Sequence, residues 1–258
     1  MIRLSAVIIT LNEERNLARC LNSVKRVADE IIVVDSMSTD NTVQIAESFG
    51  AKVYQQVFTG FIEQKRMATQ YTTNDWVISI DADEEVNPEL EQCIIDLKQR
   101  GPRNDAYKLS RLTNYCGKWI KHSGWYPDRI IRIFNKTKGS WHGETVHESW
   151  EPNEGAATGL LKGQLLHYSY TTIAQHVKKI DKYTELGARD AVKKGKDCSL
   201  LKLIIVPTWK YFAYYIIRLG ILDGYYGFII CKLESYSSFV KYAKIRQYAR
   251  MKRERKIY

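Results

Sequence analysis

An apolar run, Trp76 to Ile80, leads straight into Asp81-Ala82-Asp83-Glu84-Glu85, so two carboxylates one residue apart stand where a strand ends. Such a run reads as a buried parallel strand whose carboxyl end opens onto the crevice where open α/β sheets bind ligands. In an extended or turning backbone, Asp81 and Asp83 can aim toward the same side and hold a hard divalent cation with the oxygen-rich ligand it bridges. Phosphate chemistry is the natural use of that pair. The competing reading makes Asp-Ala-Asp a solvated turn capping a helix that begins near Pro88.

The elements before this pair bear on the choice. Leu4 to Thr10 is an apolar strand, Asn12 to Lys25 has helical periodicity, and Glu30 to Asp35 is a second buried strand ending in a carboxylate. Asp40 or Thr39 can cap a helix over Val43 to Phe49. Lys52 to Tyr54 is a short third strand, Phe61 to Tyr71 is helical, and Trp76 to Ile80 closes the series. The alternation predicts an α/β fold with a mostly parallel, Rossmann-like sheet flanked by helices. It also places the polar strand ends at Thr10 to Glu13, Asp35 to Asp40 and Asp81 to Glu84 along one sheet edge.

Neither Gly-x-Gly-x-x-Gly nor a P-loop is present, so glycine amides do not cradle phosphate here. Asn12, Glu13, Asp35 and Asp81 instead offer hydrogen bonds suited to a base and ribose, which leaves a diphosphate to a metal at Asp83. The segments Val7-Ile8-Ile9-Thr10-Leu11-Asn12-Glu13, Val33-Val34-Asp35-Ser36-Met37-Ser38-Thr39-Asp40 and Ile78-Ser79-Ile80-Asp81-Ala82-Asp83-Glu84 together resemble the family-2 inverting glycosyltransferases of GT-A fold. The resemblance covers roughly residues 3 to 150 and implies a metal-dependent enzyme with a nucleotide-sugar donor, usually a UDP-sugar, and Mg2+ or Mn2+. By it, Thr10, Asn12, Glu13 and Asp35 surround the nucleoside, Asp81 lies near the ribose and donor sugar, and Asp83 is on the metal. Lys65 and Arg66 fall where the family often places a basic residue near the donor; the alternative for both is a solvated helix face.

The second half must supply acceptor site and base. Ala106 to Arg111 and Arg129 to Phe134 alternate like strands, and Gly124-Trp125-Tyr126-Pro127-Asp128 between them is an aromatic turn suited to sugar rings or to core packing. Inversion needs a base within about 3 Å of the acceptor hydroxyl. Family-2 enzymes usually carry Glu-Asp at the place where this chain has His147-Glu148. Glu148 is the first candidate and Glu144 and Asp128 are the next; the alternative is that His147-Glu148 only orients a loop. His167 could close the metal shell or be a structural histidine.

Composition bounds the rest. One catalytic domain over 1–195 with a helical extension over 196–258 suits 258 residues. Five scattered cysteines suggest neither zinc nor a disulfide framework, and Met1 runs directly into the first strand, so a cytoplasmic chain without a secretory signal is expected. The net charge of +10 gathers at the end, where Val240 to Tyr258 holds eight Lys or Arg against Glu254 alone and reads as a basic tail. Leu200 to Leu233 is apolar and aromatic but interrupted by Lys202, Lys210, Arg218 and Asp223. It suits helices lying on an anionic membrane surface better than a span, the alternative being a packed helical subdomain. Clustered cations also attract nucleic acid, but no nucleic-acid motif accompanies them, so no such partner is expected.

Arg218 to Gly227, Phe239 to Lys244, Trp125 to Arg129 and Val146-His147-Glu148 are similar to bacterial lipopolysaccharide inner-core β-1,4-glucosyltransferases. That resemblance implies transfer of glucose from UDP-glucose to a lipid-linked saccharide acceptor, by a peripheral protein on the inner face of the cytoplasmic membrane. A glycosyltransferase acting on a protein or another lipid-linked glycan, and a non-catalytic nucleotide-sugar-binding membrane protein, are the alternatives.

Overall fold

Leu4–Thr10 (β1), Glu30–Asp35 (β2) and Trp76–Asp81 (β4) are apolar along nearly their whole length because both faces of the sheet are covered there. With Lys52–Gln55 (β3) they form a parallel set in the order β3-β2-β1-β4. Leu17–Val24 (α1), Thr42–Ser48 (α2) and Phe61–Gln70 (α3) are the crossovers. The register pairs Thr10 with Asp35 and Ile9 with Asp81, so the polar strand ends do share one edge.

Beyond β4 the sheet turns antiparallel. Asp128–Asn135 (β8) pairs with β4 and with Ala106–Tyr115 (β6), and Thr158–Tyr170 (β11) pairs with Glu84–Val86 (β5). The strand order is β3-β2-β1-β4-β8-β6-β11-β5. The sheet is therefore mixed, with its parallel half carrying the helices. Pro88–Arg100 (α4) starts where Pro88 predicts, capped by Asn87, whose side chain accepts from the Leu90 amide at 2.9 Å. Gly139–His142 (β9) and Ser149–Pro152 (β10) make a separate hairpin.

The computed structural model describes residues 1–143 and 148–254. Met1–Leu112 with Pro127–Tyr168 forms one compact unit, and Thr113–Tyr126 with Ser169–Tyr258 forms the other. The composition change at residue 196 therefore falls inside the helical unit. In the first unit, one core lies under α1 and α4 and the other under α3, around Phe134, Trp141 and Trp150.

The second unit contains Lys118–Ile120 (β7), paired with Thr113–Tyr115, and the helices Ile173–Lys193 (α5), Leu200–Phe212 (α6) and Gly224–Arg253 (α7). A π-helical turn, Ala213–Ile217, and a 3-10 turn, Gly220–Asp223, join α6 to α7. The expected basic tail is not a tail. Val240 onward is the second half of the thirty-residue α7, and Ile245 and Ala249 are buried against Ala188, Ala191 and Val192 of α5. Its helical apolar stripe was hidden by the density of charge around it. Arg255 and Lys256 lie outside the described residues.

Trp125 is also a packing residue. It stacks on Tyr170 at 5.7 Å and meets Tyr115 and His176 edge-on, within the second unit's aromatic cluster. Asp223, from the Arg218 to Gly227 motif, is buried and accepts from the Lys121 and His122 amides and the Ser123 hydroxyl. Gly227 is required because a Cβ there would lie 2.0 Å from the Gly220 carbonyl oxygen.

Candidate active site

Strand alternation puts Val77, Ser79 and Asp81 on the face covered by α3, and that geometry assembles the site. Lys65, buried one turn before Ala68 on α3, points its ammonium at this face. Lys65 Nζ stands 3.1 Å from Asp81 Oδ1 and 3.0 Å from Glu148 Oε1. Arg132 of β8, also buried, donates to Asp81 Oδ2 at 2.5 Å and to Glu84 Oε1 at 3.1 Å. Arg111, in register with Asp128, lies 3.4 Å from Glu84 Oε1 and 2.6 Å from Asp128 Oδ2.

Seven charges thus alternate in a row: Glu148, Lys65, Asp81, Arg132, Glu84, Arg111, Asp128. Buried charges are tolerable only when paired in this way. Burial alone would raise the Asp81 pKa, but Arg132 and Lys65 outweigh it and hold the carboxyl well below the usual range. Arg132 is raised in turn: burial opposes its charge, and Asp81 and Glu84 more than restore it. Glu84 Oε2 fixes the strand end by accepting from the Asp81 amide at 2.9 Å.

Asp83 occupies the turn between β4 and β5. The β5–β11 register sets His167 opposite Glu84, and His167 Nε2 lies 3.3 Å from Asp83 Oδ2. His167 Nδ1 is buried with no hydrogen-bond partner among the described residues. A carboxylate and an imidazole converging this closely fit Mg2+ or Mn2+, with remaining positions left for oxygens of a bound diphosphate and water. Among the described residues no cluster of three or more ligating side chains exists. Glu13 adds negative charge: its pKa is raised by burial and by Asp83, Asp40 and Asp81, with Asn16 offsetting part.

At the ends of β1 and β2 the polar side chains bond to one another. Asp35 is fully buried, and its oxygens already accept from the Thr10 and Ser38 hydroxyls, the Ser38 amide and the Gln55 side chain. Thr10 and Asp35 therefore brace the two loops. Asn12 and Glu13 are more accessible. Asn12, at φ 56, accepts from the Thr39 amide and gives its own amide to the Ser38 hydroxyl.

Of the sequence candidates, Lys65, Asp81, Glu148 and Asp128 share the charge row, and Asp83 and His167 pair beside it. Arg66 does not join them; it is exposed, paired with Glu63 and donating to the Trp141 carbonyl. Glu144 and His147 lie outside the described residues. Glu84, Arg111 and Arg132 went unnoticed in the sequence. The available signal was Arg132 itself, an arginine between isoleucines in a strand with a buried face, which requires a buried carboxylate.

The sequence profile of glycosyl transferase family 2 matches residues 5–162. The chain belongs to that family. This family-2 glycosyltransferase is 37% identical to an uncharacterized glycosyltransferase of Rickettsia typhi over 96% of its own length and 88% of the relative's. It is 31% identical to the lipopolysaccharide core biosynthesis glycosyltransferase LpsC of Rhizobium meliloti, over 95% and 92% of the two chains. Among solved structures it matches glucosyl-3-phosphoglycerate synthase from Mycobacterium tuberculosis with 27% identity and a TM-score of 0.36, over 45% of each chain. Its alternating β/α half and antiparallel extension are the GT-A arrangement of the family.

Proposed function

We propose that this glycosyltransferase transfers a hexose, glucose from UDP-glucose, with inversion to a lipid-linked saccharide acceptor such as the lipopolysaccharide inner core. The observation that carries the reaction type is Lys65 bridging Asp81 and Glu148, which holds a candidate base one cation away from the donor-side carboxylate. Asp128 is separated from Asp81 by Arg111, Glu84 and Arg132, so Glu148 is preferred. The name of the LpsC relative, aligned over nearly the whole of both chains, supports the acceptor class. A lipid-linked acceptor puts the enzyme at the inner face of the cytoplasmic membrane as a peripheral protein.

Asp83 and His167 would hold Mg2+ or Mn2+, which neutralises charge on the diphosphate when bound. Asn12 and Glu13 bind the nucleoside within loops braced by Thr10 and Asp35, and Asp81 orients ribose and sugar. Glu148 takes the proton of the acceptor hydroxyl as its oxygen attacks the anomeric carbon from the face opposite the diphosphate. The bond from that carbon to the β-phosphate oxygen breaks, and its electron pair leaves with UDP. Lys65 keeps Glu148 and Asp81 in register through the step.

The test is release of nucleoside diphosphate from UDP-, GDP- and dTDP-hexoses, with and without Mg2+ or Mn2+, before and after adding a lipid-linked core acceptor. UDP-glucose is expected to turn over with metal and to yield a β-linked product. Asp83→Ala should abolish the metal-dependent rate. Turnover of only GDP- or dTDP-sugars would overturn the donor, and full activity of Asp83→Ala would overturn the metal site.

A further inference from the structure

Residues 200–258 hold twelve Lys or Arg against three Asp or Glu, which is nine of the chain's ten net positive charges. The same stretch exposes a run of large apolar side chains. On α6, Leu200, Leu201, Ile204, Ile205, Trp209 and Phe212 recur at helical spacing on one face and are each about half exposed or more, Leu201 and Ile204 reaching 67% and 66%. Ile216, Ile217, Leu219, Ile221, Leu222 and Tyr225 continue the exposed apolar surface around the turn into α7. The other face of α6 packs on α7: Lys210 pairs with Glu234 at 2.8 Å, and Ser235 donates to the carbonyl of the buried Pro207.

Patches of this extent mark an interaction surface. Exposed Lys202 and Arg218 lie along it, and Trp209 and Tyr225 are within it. Protein interfaces are depleted in lysine, whereas aliphatic groups mixed with Trp, Tyr and flanking cations match the boundary between acyl chains and anionic headgroups. A crossing helix is a poor fit. Leu200–Ile217 is apolar enough in composition, but its 18 residues contain two lysines and a proline, and α6 leans on an α7 rich in charge.

Part of the charge at the end of α7 is taken up by ion pairs within the helical unit. Lys244 is held by Asp181 and Glu185, Arg250 by Glu254 and Arg253 by Asp197. We propose that α6, with the turn that follows it, lies in the plane of an anionic bilayer, its apolar face in the acyl boundary and the flanking cations on headgroups. The proposal rests on the peripheral-membrane reading above and names the element that carries it.

The experiment is co-sedimentation of the full chain with phosphatidylcholine vesicles, alone or containing phosphatidylglycerol. Salt is raised from about 0.1 M to about 1 M, which shortens the Debye length from about 10 Å to about 3 Å. Wild type is compared with a Leu201→Glu/Ile205→Glu chain, whose thermal melt should match because both side chains are exposed. Wild type should bind the anionic vesicles and keep a fraction at high salt, and the double substitution should cut partitioning by about tenfold or more. Brominated lipid should quench wild-type fluorescence, and Trp209→Phe should remove most of that quenching. Equal high-salt binding by the substituted chain would overturn the role of α6 while leaving a peripheral enzyme. No binding by either chain would overturn both. A wild-type dimer dissolved by the substitutions, without vesicle binding, would assign the face to a second copy of the chain. Wild type that leaves membranes only in detergent would make α6 a span.

Discussion

At the residue scale, the site is a charge row in which each interior member is shared between two oppositely charged neighbours. Arg132→Met should leave Glu84 to Arg111 alone and Asp81 to Lys65 alone, so the loss should stay below the about 3–5 kcal/mol of a buried charge left with no partner. Urea unfolding should show that loss as a lower midpoint with an unchanged slope, and Arg132→Lys should recover only part of it because an ammonium lacks the guanidinium fork. Glu148→Gln, by contrast, keeps shape and a contact to Lys65 while removing the proton acceptor. It should retain donor affinity and lose transfer by about 100-fold to 10,000-fold. Transfer surviving there but failing in Asp128→Asn, with donor still bound, would move the base to Asp128.

At the scale of elements, β11 must pass close to the start of α4 before it delivers His167 to Asp83. Gly163 makes this possible: its φ is +89, and a Cβ there would stand 2.3 Å from the Leu90 amide nitrogen. Gly163→Ala should force β11 off the Asn87 cap, where the Gln164 amide now donates at 2.9 Å, and destabilise the chain by about 1–3 kcal/mol. Calorimetry should find a lower Tm together with weaker Mn2+ binding; an unchanged Tm would contradict the contact. Truncation before Val240 removes Ile245 and Ala249 from the α5 interface as well as Tyr248, whose hydroxyl donates to Glu185 at 2.7 Å. The truncated chain should therefore lose the cooperative unfolding of the helical unit rather than behave as an intact enzyme without a tail.

At the scale of the whole molecule, acid should destabilise the fold in two stages. Burial lowers the pKa of His176 from 6.5 to about 4, with Lys179 adding to the shift and Glu234 opposing it. Its Nδ1 is 3.0 Å from the Tyr115 hydroxyl. The folded chain keeps this imidazole neutral where the unfolded chain takes up a proton, so stability is full above about pH 6.5 and is lost as pH falls toward about 4. The loss is on the order of 3 kcal/mol at most. Below about pH 4.5 the depressed carboxylates follow. Glu30, against the cost of burial, is held at about 2 by the Thr73 amide, Lys52 and Ser5, and Glu185 is held at about 2 by Tyr248 and Arg189. Their contribution disappears as pH drops through those values. Urea midpoints measured from pH 8 to pH 4 should fall below pH 6.5 in wild type and flatten in His176→Gln. An identical slope in both would remove His176 from the account.

The parallel half of the sheet, the helices between its strands and the edge carrying Thr10, Asp35, Asp81 and Asp83 were all legible in the sequence. Strand burial on both faces and helical periodicity are local patterns, and the strand ends follow from them. The sequence likewise carried the family, through three short motifs in a fixed order. It did not determine which charges meet. Lys65 and Glu148 are 83 residues apart and Arg132 and Asp81 are 51 apart, pairings that only the antiparallel return of β8 and the packing of α3 on the sheet bring about. Packing also decided that Asp35 is buried among hydrogen-bond donors, that Trp125 is core and that the basic end is half of a packed helix. Charge density and aromatic clustering are visible along a chain, whereas burial is a property of what folds back over it.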